Sequence, residues 1–272
     1  MPELPEVETI KNELSPYILG RTVTGVDLPW EGIVRQPSAS EFRSRLIGQK
    51  ITKISRRGKY LILNLSSSEF LIIHLKMSGA LLFGNEASEP PKYTRATFRL
   101  DDGTIIFFRD PRKFGVLRLV EDKNSIVGEL GPEPLEANFT HEVLAQRLHK
   151  RTAPIKALLS DQKVIAGVGN MYADEALFAS KIHPLRAGGS LTKDEIKRLH
   201  QAIIEVLKSG IGNKGASIEN YIRPDGTLGT AHTQFKVAHR RGETCPRCGT
   251  PLERIAVRHR GTYFCPKCQR ER

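Results

Sequence analysis

Two residues at the start of the chain have types that could do covalent chemistry. The sequence opens MPELPEVETI, with proline at position 2 and glutamate directly behind it. If Met1 is removed, and proline is small enough a second residue for that, Pro2 carries a free secondary amine. An α-amino group has a pKa of about 8, far below that of lysine, so much of it is an unprotonated nucleophile near neutral pH. Attack on an aldehyde-level sugar carbon gives an iminium ion, which drains electrons from neighbouring C–H bonds. Glu3 beside it could protonate a sugar oxygen or shuttle protons, a role suited to a carboxylate tuned by burial.

A second constellation lies at the other end. Cys245-x-x-Cys248 and Cys265-x-x-Cys268 are separated by 16 residues and are the only four cysteines in the chain. That spacing is the one used by structural zinc sites, with two disulfides or a redox pair as the alternatives. Four thiolate ligands leave zinc no open position, so such a metal holds structure and does no chemistry. Between the knuckles runs IAVRHRGTYF, a predicted hairpin whose turn presents Arg258, His259 and Arg260. Exposed cations on a metal-rigidified loop suit a phosphate, although an ordinary solvated loop has the same composition.

Two weaker patterns stand between these ends. In VIAGVGNMYADEAL, Gly167, Gly169 and Asn170 sit at the junction of two predicted helices. A helix N-terminus with free N–H groups is an anion site, while a glycine pair before a helix also serves simply as a packing device. RDPRKFG follows a predicted strand, so Arg112 and Phe114 are expected at a loop tip, where a cation and an aromatic could wedge into a base stack. Met77 in HLKMSG ends another strand; an apolar residue there is more often core.

These residues need a frame to hold them. Pro5 suits the start of a helix, Glu6 and Glu8 suit its dipole, and Val7, Ile10 and Leu14 form one apolar stripe. ISRRGKYLILNL, FLIIHLKMSG, ATFRL and TIIFFRD read as strands, with Asp101-Asp102-Gly103 as a tight connection, which predicts an antiparallel sandwich or barrel. GELGPEPLEAN (128–138) reads as an interdomain linker. LTKDEIKRLHQAIIEVLKSG is a helix with a Thr192/Glu195 capping box, an apolar stripe of Ile196, Leu199, Ile203, Val206 and Leu207, and Gly210 at its end. A shorter helix is expected over 173–180.

The composition, 39% hydrophobic and 26% charged over 272 residues, is that of a globular protein of one large or two ordinary domains. There is no charged start followed by an apolar run, and the longest apolar runs are strand-length, so a cytoplasmic protein without membrane segments is expected. Net charge is +12, and His239 to Arg272 hold nine Lys/Arg against three Asp/Glu. A basic tail points to a polyanion, most simply nucleic acid, against the alternative of a solvated basic face.

Taken together, MPELPEVET, RRGKYL (56–61), LKMSG (75–79), RDPRKFG (109–115), LGPEPL (130–135), AGVGNMYADEALF (166–178) and the cysteine tail resemble the formamidopyrimidine-DNA glycosylase family, bacterial enzymes that remove 8-oxoguanine and ring-opened purines. The resemblance runs end to end. It implies an α+β protein: an N-terminal antiparallel β-sandwich catalytic domain over 1–130, a helix–two-turn–helix DNA-binding domain over 131–238, and a four-cysteine zinc finger on a β-hairpin over 239–272. Damaged double-stranded DNA would lie in the cleft between domains, bound by a monomer in the bacterial cytoplasm that is nucleoid-associated when on DNA. The implied cofactor is one structural Zn2+.

Carried over by position, Pro2 resembles the Schiff-base nucleophile, Glu3 its proton-donating partner and Glu6 a supporting carboxylate. Lys59 resembles the family's hairpin lysine for phosphate and proton transfer, and Arg260 the finger arginine that binds phosphates and takes part in elimination. Met77, Arg112 and Phe114 resemble the triad that fills the gap left by a flipped base. Lys156 and Asn170 match backbone-gripping positions; Tyr93 and Arg151 align less closely. The implied reaction is base displacement at C1′ followed by β- and δ-elimination.

Two stretches depart from the family pattern. VAHRRG stands where relatives usually carry tyrosine-glycine near Ala238 and His239, and IGNKGASIENYIRPDGTLGTAH (211–232) resembles the flexible base-capping loop in altered form. An endonuclease VIII-like enzyme for oxidised pyrimidines is the nearest competitor, opposed by Leu4 and the PRKFG stretch. A non-enzymatic zinc-ribbon DNA-binding protein would leave Pro2, Glu3 and Lys59 without a role. Because phosphate contacts release counterions, affinity for duplex DNA is expected to fall more than about tenfold between ~50 and ~200 mM salt. A flat response in a fluorescence-anisotropy titration would count against duplex binding.

Overall fold

The computed structural model describes residues 1–271. The chain divides into two compact units, one formed by Met1–Glu129 with Asn213–His232, the other by Leu130–Gly212 with the residues from Thr233 onward. The sequence keeps 211–232 within the helical domain. In the structure 213–232 belongs instead with the first unit, because Glu6 and Glu13 of the first helix hold it there by hydrogen bonds to Ala216 and Arg223.

The first unit opens with helix α1 (Leu4–Ile18), one turn longer than its apolar stripe requires and running through Pro16. Pro5 occupies its second position and Glu3 caps it. Then follow β1 (Val23–Asp27), β2 (Val34–Gln36), α2 (Ala39–Leu46), β3 (Ile51–Arg57), β4 (Tyr60–Leu65), β5 (Phe70–His74), β6 (Ala80–Gly84), β7 (Thr94–Leu100), β8 (Ile105–Arg109), β9 (Val116–Val120) and α3 (Asn124–Val127). One sheet has the order β1-β7-β8-β6 and the other β2-β9-β5-β4-β3. All pairs are antiparallel except β2 with β9, a parallel edge pairing the strand pattern does not reveal. The expected 101–103 turn joins β7 to β8.

Side chains from both sheets interleave in one core. Leu61, Leu63, Leu71, Ile73 and Leu117 from one sheet share it with Leu81, Phe98, Leu100, Ile106 and Phe108 from the other. Val7, Ile10, Leu14 and Ile18 of α1 join them, so the helix carrying the N-terminal residues is anchored by apolar burial, which is non-directional but large.

The second unit holds α4 (His141–Leu148), α5 (Ile155–Leu159), α6 (Asn170–Ser180), α7 (Lys193–Gly212) and the hairpin β10 (Glu253–Val257) with β11 (Arg260–Phe264). The linker of 128–138 is crossed by the unit boundary, and its second half is bonded down: Gly131 N–H donates to the Gln162 carbonyl at 2.8 Å. Helix α6 starts three residues before the expected position, at Asn170. The capping box of α7 is present, with Thr192 N–H donating to Glu195 at 2.9 Å and Glu195 N–H to the Thr192 hydroxyl at 3.3 Å. Among the described residues no helix is long and apolar enough to cross a membrane.

Gly210 does not end α7, which continues to Gly212. It lies where α7 crosses α6, and a Cβ there would stand 2.6 Å from the ring of Tyr172, itself buried. Glycine thus permits a close helix approach. Gly210→Ala would gain helix propensity of up to about 1 kcal/mol, but overpacking a fixed ring costs more, so a net loss of about 1–2 kcal/mol is expected. Urea unfolding of the variant measures it.

Candidate active site

The N-terminus is organised by one carboxylate. Pro2, Glu3 and Glu6 are all buried, Glu6 to 1% exposure. Glu6 Oε2 accepts the backbone N–H of Glu3 at 2.7 Å, and its Oε1 accepts the N–H of Ala216 at 2.8 Å. The carboxylate stands in the first turn of α1, where the helix dipole favours negative charge. Both Glu6 oxygens are thus engaged, and the carboxylate fixes the backbone between Pro2 and the helix.

Lys59 sits in the β3–β4 turn at 4% exposure, next to Gly58 at φ +56°. The turn is tied to α1 through a residue whose role no local pattern reveals. Arg56 donates from Nε to Glu8 Oε2 at 2.8 Å and from Nη1 to the Gly58 carbonyl at 2.9 Å. Glu8 also pairs with Lys11. His74, on the neighbouring strand, is pushed down to about 3 by burial and by the positive charges of Lys76, Lys59 and Arg118, so its ring is neutral and Nδ1 accepts the Lys76 N–H at 2.9 Å.

Met77 and Phe114 are exposed at 39% and 46%, and Arg112 lies over the Phe114 ring at 4.9 Å. Met77 is thus at the surface, not in the core, as the family resemblance implies. Asp110, fully buried, organises both loops. Its Oδ1 accepts the Ser78 hydroxyl at 2.5 Å and the Arg112 N–H at 3.2 Å, and its Oδ2 the Gly115 N–H at 2.7 Å. Asp110 N–H also donates to the Tyr93 carbonyl at 3.0 Å, which places half-exposed Tyr93 at the base of the same loop.

In the second unit, Asn170 donates from Nδ2 to the Gly261 carbonyl at 2.8 Å, one residue past Arg260. Arg260 is exposed, beyond a turn in which Arg258 and His259 have φ of +45° and +63°. Lys156, expected at a backbone-gripping position, is 1% exposed, with Nζ donating to Asp174 and to the Asn170 carbonyl at 2.5 Å each. Asp174 Oδ2 accepts the Tyr263 N–H at 3.2 Å, so the Lys156–Asp174 pair joins α5, α6 and the hairpin. Burial pushes the Asp174 carboxyl up, and the Lys156 ammonium pulls it back. Arg151 is exposed just past α4.

The departure near Ala238 and His239 has a local account. Burial pushes the Glu175 carboxyl up, and the N–H groups of Lys236, Val237 and Ala238, donating to it at 2.8–2.9 Å, pull it back. His239 takes φ +63° and stacks on Tyr263 at 5.4 Å. Glu175 and Asp174 form an acidic pair inside an otherwise apolar helix, and that pattern in ADEAL is the signal that could have identified them.

The four cysteine sulphurs lie within 4.8 Å of one another, with Cys248–Cys265 at 3.5 Å and Cys245–Cys268 at 3.9 Å. Four sulphurs around a tetrahedral zinc stand about 3.8 Å apart, whereas a disulfide needs about 2 Å. The donor set fits one structural zinc. Arg247 and Cys268 turn backbone N–H groups toward Cys245 and Cys265 sulphurs, both at 3.4 Å. Buried Gln269 braces the site, accepting from Cys265 N–H and donating to the Ile182 carbonyl at 2.9 Å each.

Comparison with known proteins gives consistent matches. The family model for the formamidopyrimidine-DNA glycosylase N-terminal domain matches residues 1–117, that for its H2TH domain 130–221, and a zinc finger found in FPG and IleRS 242–270. The formamidopyrimidine-DNA glycosylase of Chloroflexus aurantiacus is 46% identical, covering 99% of this chain and 98% of that protein; the Desulforamulus reducens enzyme is 42% identical, covering 99% of each. Among solved structures, the MutM (Fpg) protein of Thermus thermophilus is 40% identical with a TM-score of 0.90, covering 100% of both chains. Lactococcus lactis Fpg in complex with abasic-site DNA is 34% identical with a TM-score of 0.92, covering 99% of this chain and 100% of that one.

Because Asp110 answers three donors from two loops, Asp110→Ala leaves a hydroxyl and two N–H groups unpaired. A loss of about 2–4 kcal/mol in urea unfolding is expected, with Asp110→Asn losing less because it keeps one acceptor. Equal losses for the two variants would show that the loop network is not what Asp110 stabilises.

Proposed function

The chain belongs to the formamidopyrimidine-DNA glycosylase family, and on that premise we propose that it excises 8-oxoguanine and formamidopyrimidines from duplex DNA and then cuts the strand as an AP lyase. The observation that carries the reading is the Glu6 clamp, which holds the Glu3 backbone and so fixes buried Pro2 beside a buried carboxylate.

Removal of Met1 frees the Pro2 nitrogen, whose lone pair attacks C1′ of the damaged nucleotide. The C1′–N bond to the base breaks and the base leaves with a proton. Glu3 supplies the proton that opens the sugar at O4′, giving an iminium ion on Pro2. Loss of a C2′ proton breaks the C3′–O bond, and a second proton loss breaks the C5′–O bond. Water then hydrolyses the iminium and restores the free amine. Lys59 is positioned by Arg56 and Glu8 to hold a phosphate and relay protons.

Flipping a base costs a few kcal/mol of stacking, which an inserted wedge offsets. Met77, Arg112 and Phe114 supply that wedge, with Tyr93 supporting its base. Arg260 and Arg151 bind flanking phosphates, and Asn170 and Lys156 set the hairpin that carries Arg260. The zinc holds that hairpin. The domain of 1–130 would carry the chemistry, 131–238 and 239–272 the DNA grip, acting as a monomer on damaged double-stranded DNA.

Borohydride trapping tests this. A duplex carrying 8-oxoguanine opposite cytosine is expected to give a covalent adduct that Pro2→Gly and a Met1-retaining form both lose. Trapping on an abasic duplex alone would keep the lyase and reject the lesion. Silence on both duplexes would overturn the reading and leave a DNA-binding protein.

A further inference from the structure

One face of α1 is polar and yet covered. Glu6, Thr9, Glu13 and Tyr17 recur at helical spacing beside the apolar stripe, and each engages the region of the returning segment 213–232 or its neighbour Phe83. Glu6 accepts the Ala216 N–H. Thr9, whose hydroxyl donates to the Pro5 carbonyl at 2.9 Å, lies beside Tyr221, whose hydroxyl donates to the Lys214 carbonyl at 3.0 Å. Glu13 receives Arg223 in a fork, Nε to Oε1 and Oε2 at 3.0 and 3.1 Å and Nη2 to Oε1 at 2.7 Å. Tyr17 stacks on Phe83 at 4.3 Å, and the Phe83 N–H donates to the Pro224 carbonyl at 3.1 Å.

The segment is itself shaped to meet this ladder. Arg223 Nη1 donates to the Thr227 hydroxyl at 2.8 Å, and Arg223 and Thr227 close a tight turn by an N–H to carbonyl bond at 2.9 Å. Gly229 passes so close to the chain at Lys214 that a Cβ would stand 2.2 Å from its carbonyl oxygen. The ends of the segment are thus pinned to each other. Its tip is pinned to α1 through Arg223, while Lys214 and Asp225 stand farther from the pair at 4.0 and 3.6 Å.

We infer that Glu13 and Arg223 are a positioning pair, setting the segment 213–232 against the Pro2–Glu3 end of α1 and thereby the site's grip on the base being removed. The same Glu6 carboxylate that holds the segment at Ala216 holds the Glu3 backbone beside Pro2, so displacement of the segment reaches the nucleophile's wall. The base is bonded to the carbon that Pro2 attacks. Chain lying beside Glu6 therefore borders the base, whereas an abasic sugar leaves that space to water. A bidentate arginine–carboxylate fork holds both distance and angle, which a lysine point charge does not.

This inference rests on the glycosylase reading above, and the experiment separates the two. Excision is measured under single turnover on an 8-oxoguanine duplex, and strand cutting on an abasic duplex, for wild type, Arg223→Gln, Arg223→Lys, Glu13→Gln and the Glu13→Gln/Arg223→Gln double variant. Base excision is expected to fall about tenfold in either glutamine variant, with Arg223→Lys restoring only part. Abasic cutting stays within about twofold, and the double variant is no worse than either single one, as for a shared interaction. Equal slowing on both substrates, no slowing, or additive effects would overturn the positioning role. A wild-type protein inactive on both duplexes would instead overturn the glycosylase reading, and this inference with it.

Discussion

A carboxylate with two backbone donors from opposite ends of the first unit is the constraint around which that unit is arranged. Glu6 is 1% exposed and accepts N–H groups from Glu3 and from Ala216, 210 residues further along the chain. Burying a charge costs several kcal/mol unless it is answered by hydrogen bonds, and here the helix dipole and two amides answer it. The consequence is geometric. Glu3 is held by its backbone N–H where chain termini ordinarily fray, and a segment after α7 returns across α1 instead of continuing with the helices.

The second unit solves a similar problem with different groups. A small hairpin with few apolar residues must hold Arg260 at its start. Phe178, Val237, Leu252 and two of the zinc-site cysteines form a modest cluster beneath it. Orientation comes from polar anchors on α6: Asn170 on the Gly261 carbonyl, Asp174 on the Tyr263 N–H, and Glu175 on three successive amides before the finger. A single helix thus presents three side chains from Asn170 to Glu175 that fix the backbone of the finger and of the residues leading into it, while zinc fixes the finger's interior.

Much of this was legible in the residues. Pattern and turn chemistry located β3, β4, β5, β7 and β8 because their alternation and the 101–103 turn are local signals. The α7 capping box and the zinc site were legible for the same reason: each is announced by residues three apart, Thr192 and Glu195 in one and two Cys-x-x-Cys pairs in the other. What was hidden depended on remote pairing. Nothing in the spacing of Gly210 distinguishes a helix end from a close crossing, since the deciding atom is the Tyr172 ring on another helix. The return of 213–232 to the first unit depends on Glu6, whose local pattern shows only that it suits the helix dipole, and on Glu13, which no local pattern singles out. Lys156, which the resemblance places among the backbone-gripping positions, is buried because Asp174 lies opposite it.

Asp110, Asp174, Glu175 and Glu6 share one physical logic. Each is a carboxylate at most 5% exposed, and each accepts backbone N–H groups from a loop or segment with little apolar surface of its own. An apolar side chain could bury the same volume at lower desolvation cost, yet would leave those amides unpaired and their loops free to shift. The loops so fixed are the ones bearing Phe114, Arg260 and the neighbours of Pro2. Hydrogen bonds to a fixed acceptor set both distance and direction, whereas dispersion packing alone tolerates larger shifts. Buried acids therefore stand where the position of a backbone has to be fixed, whereas the apolar core of the sheets, where only volume has to be filled, holds none of them.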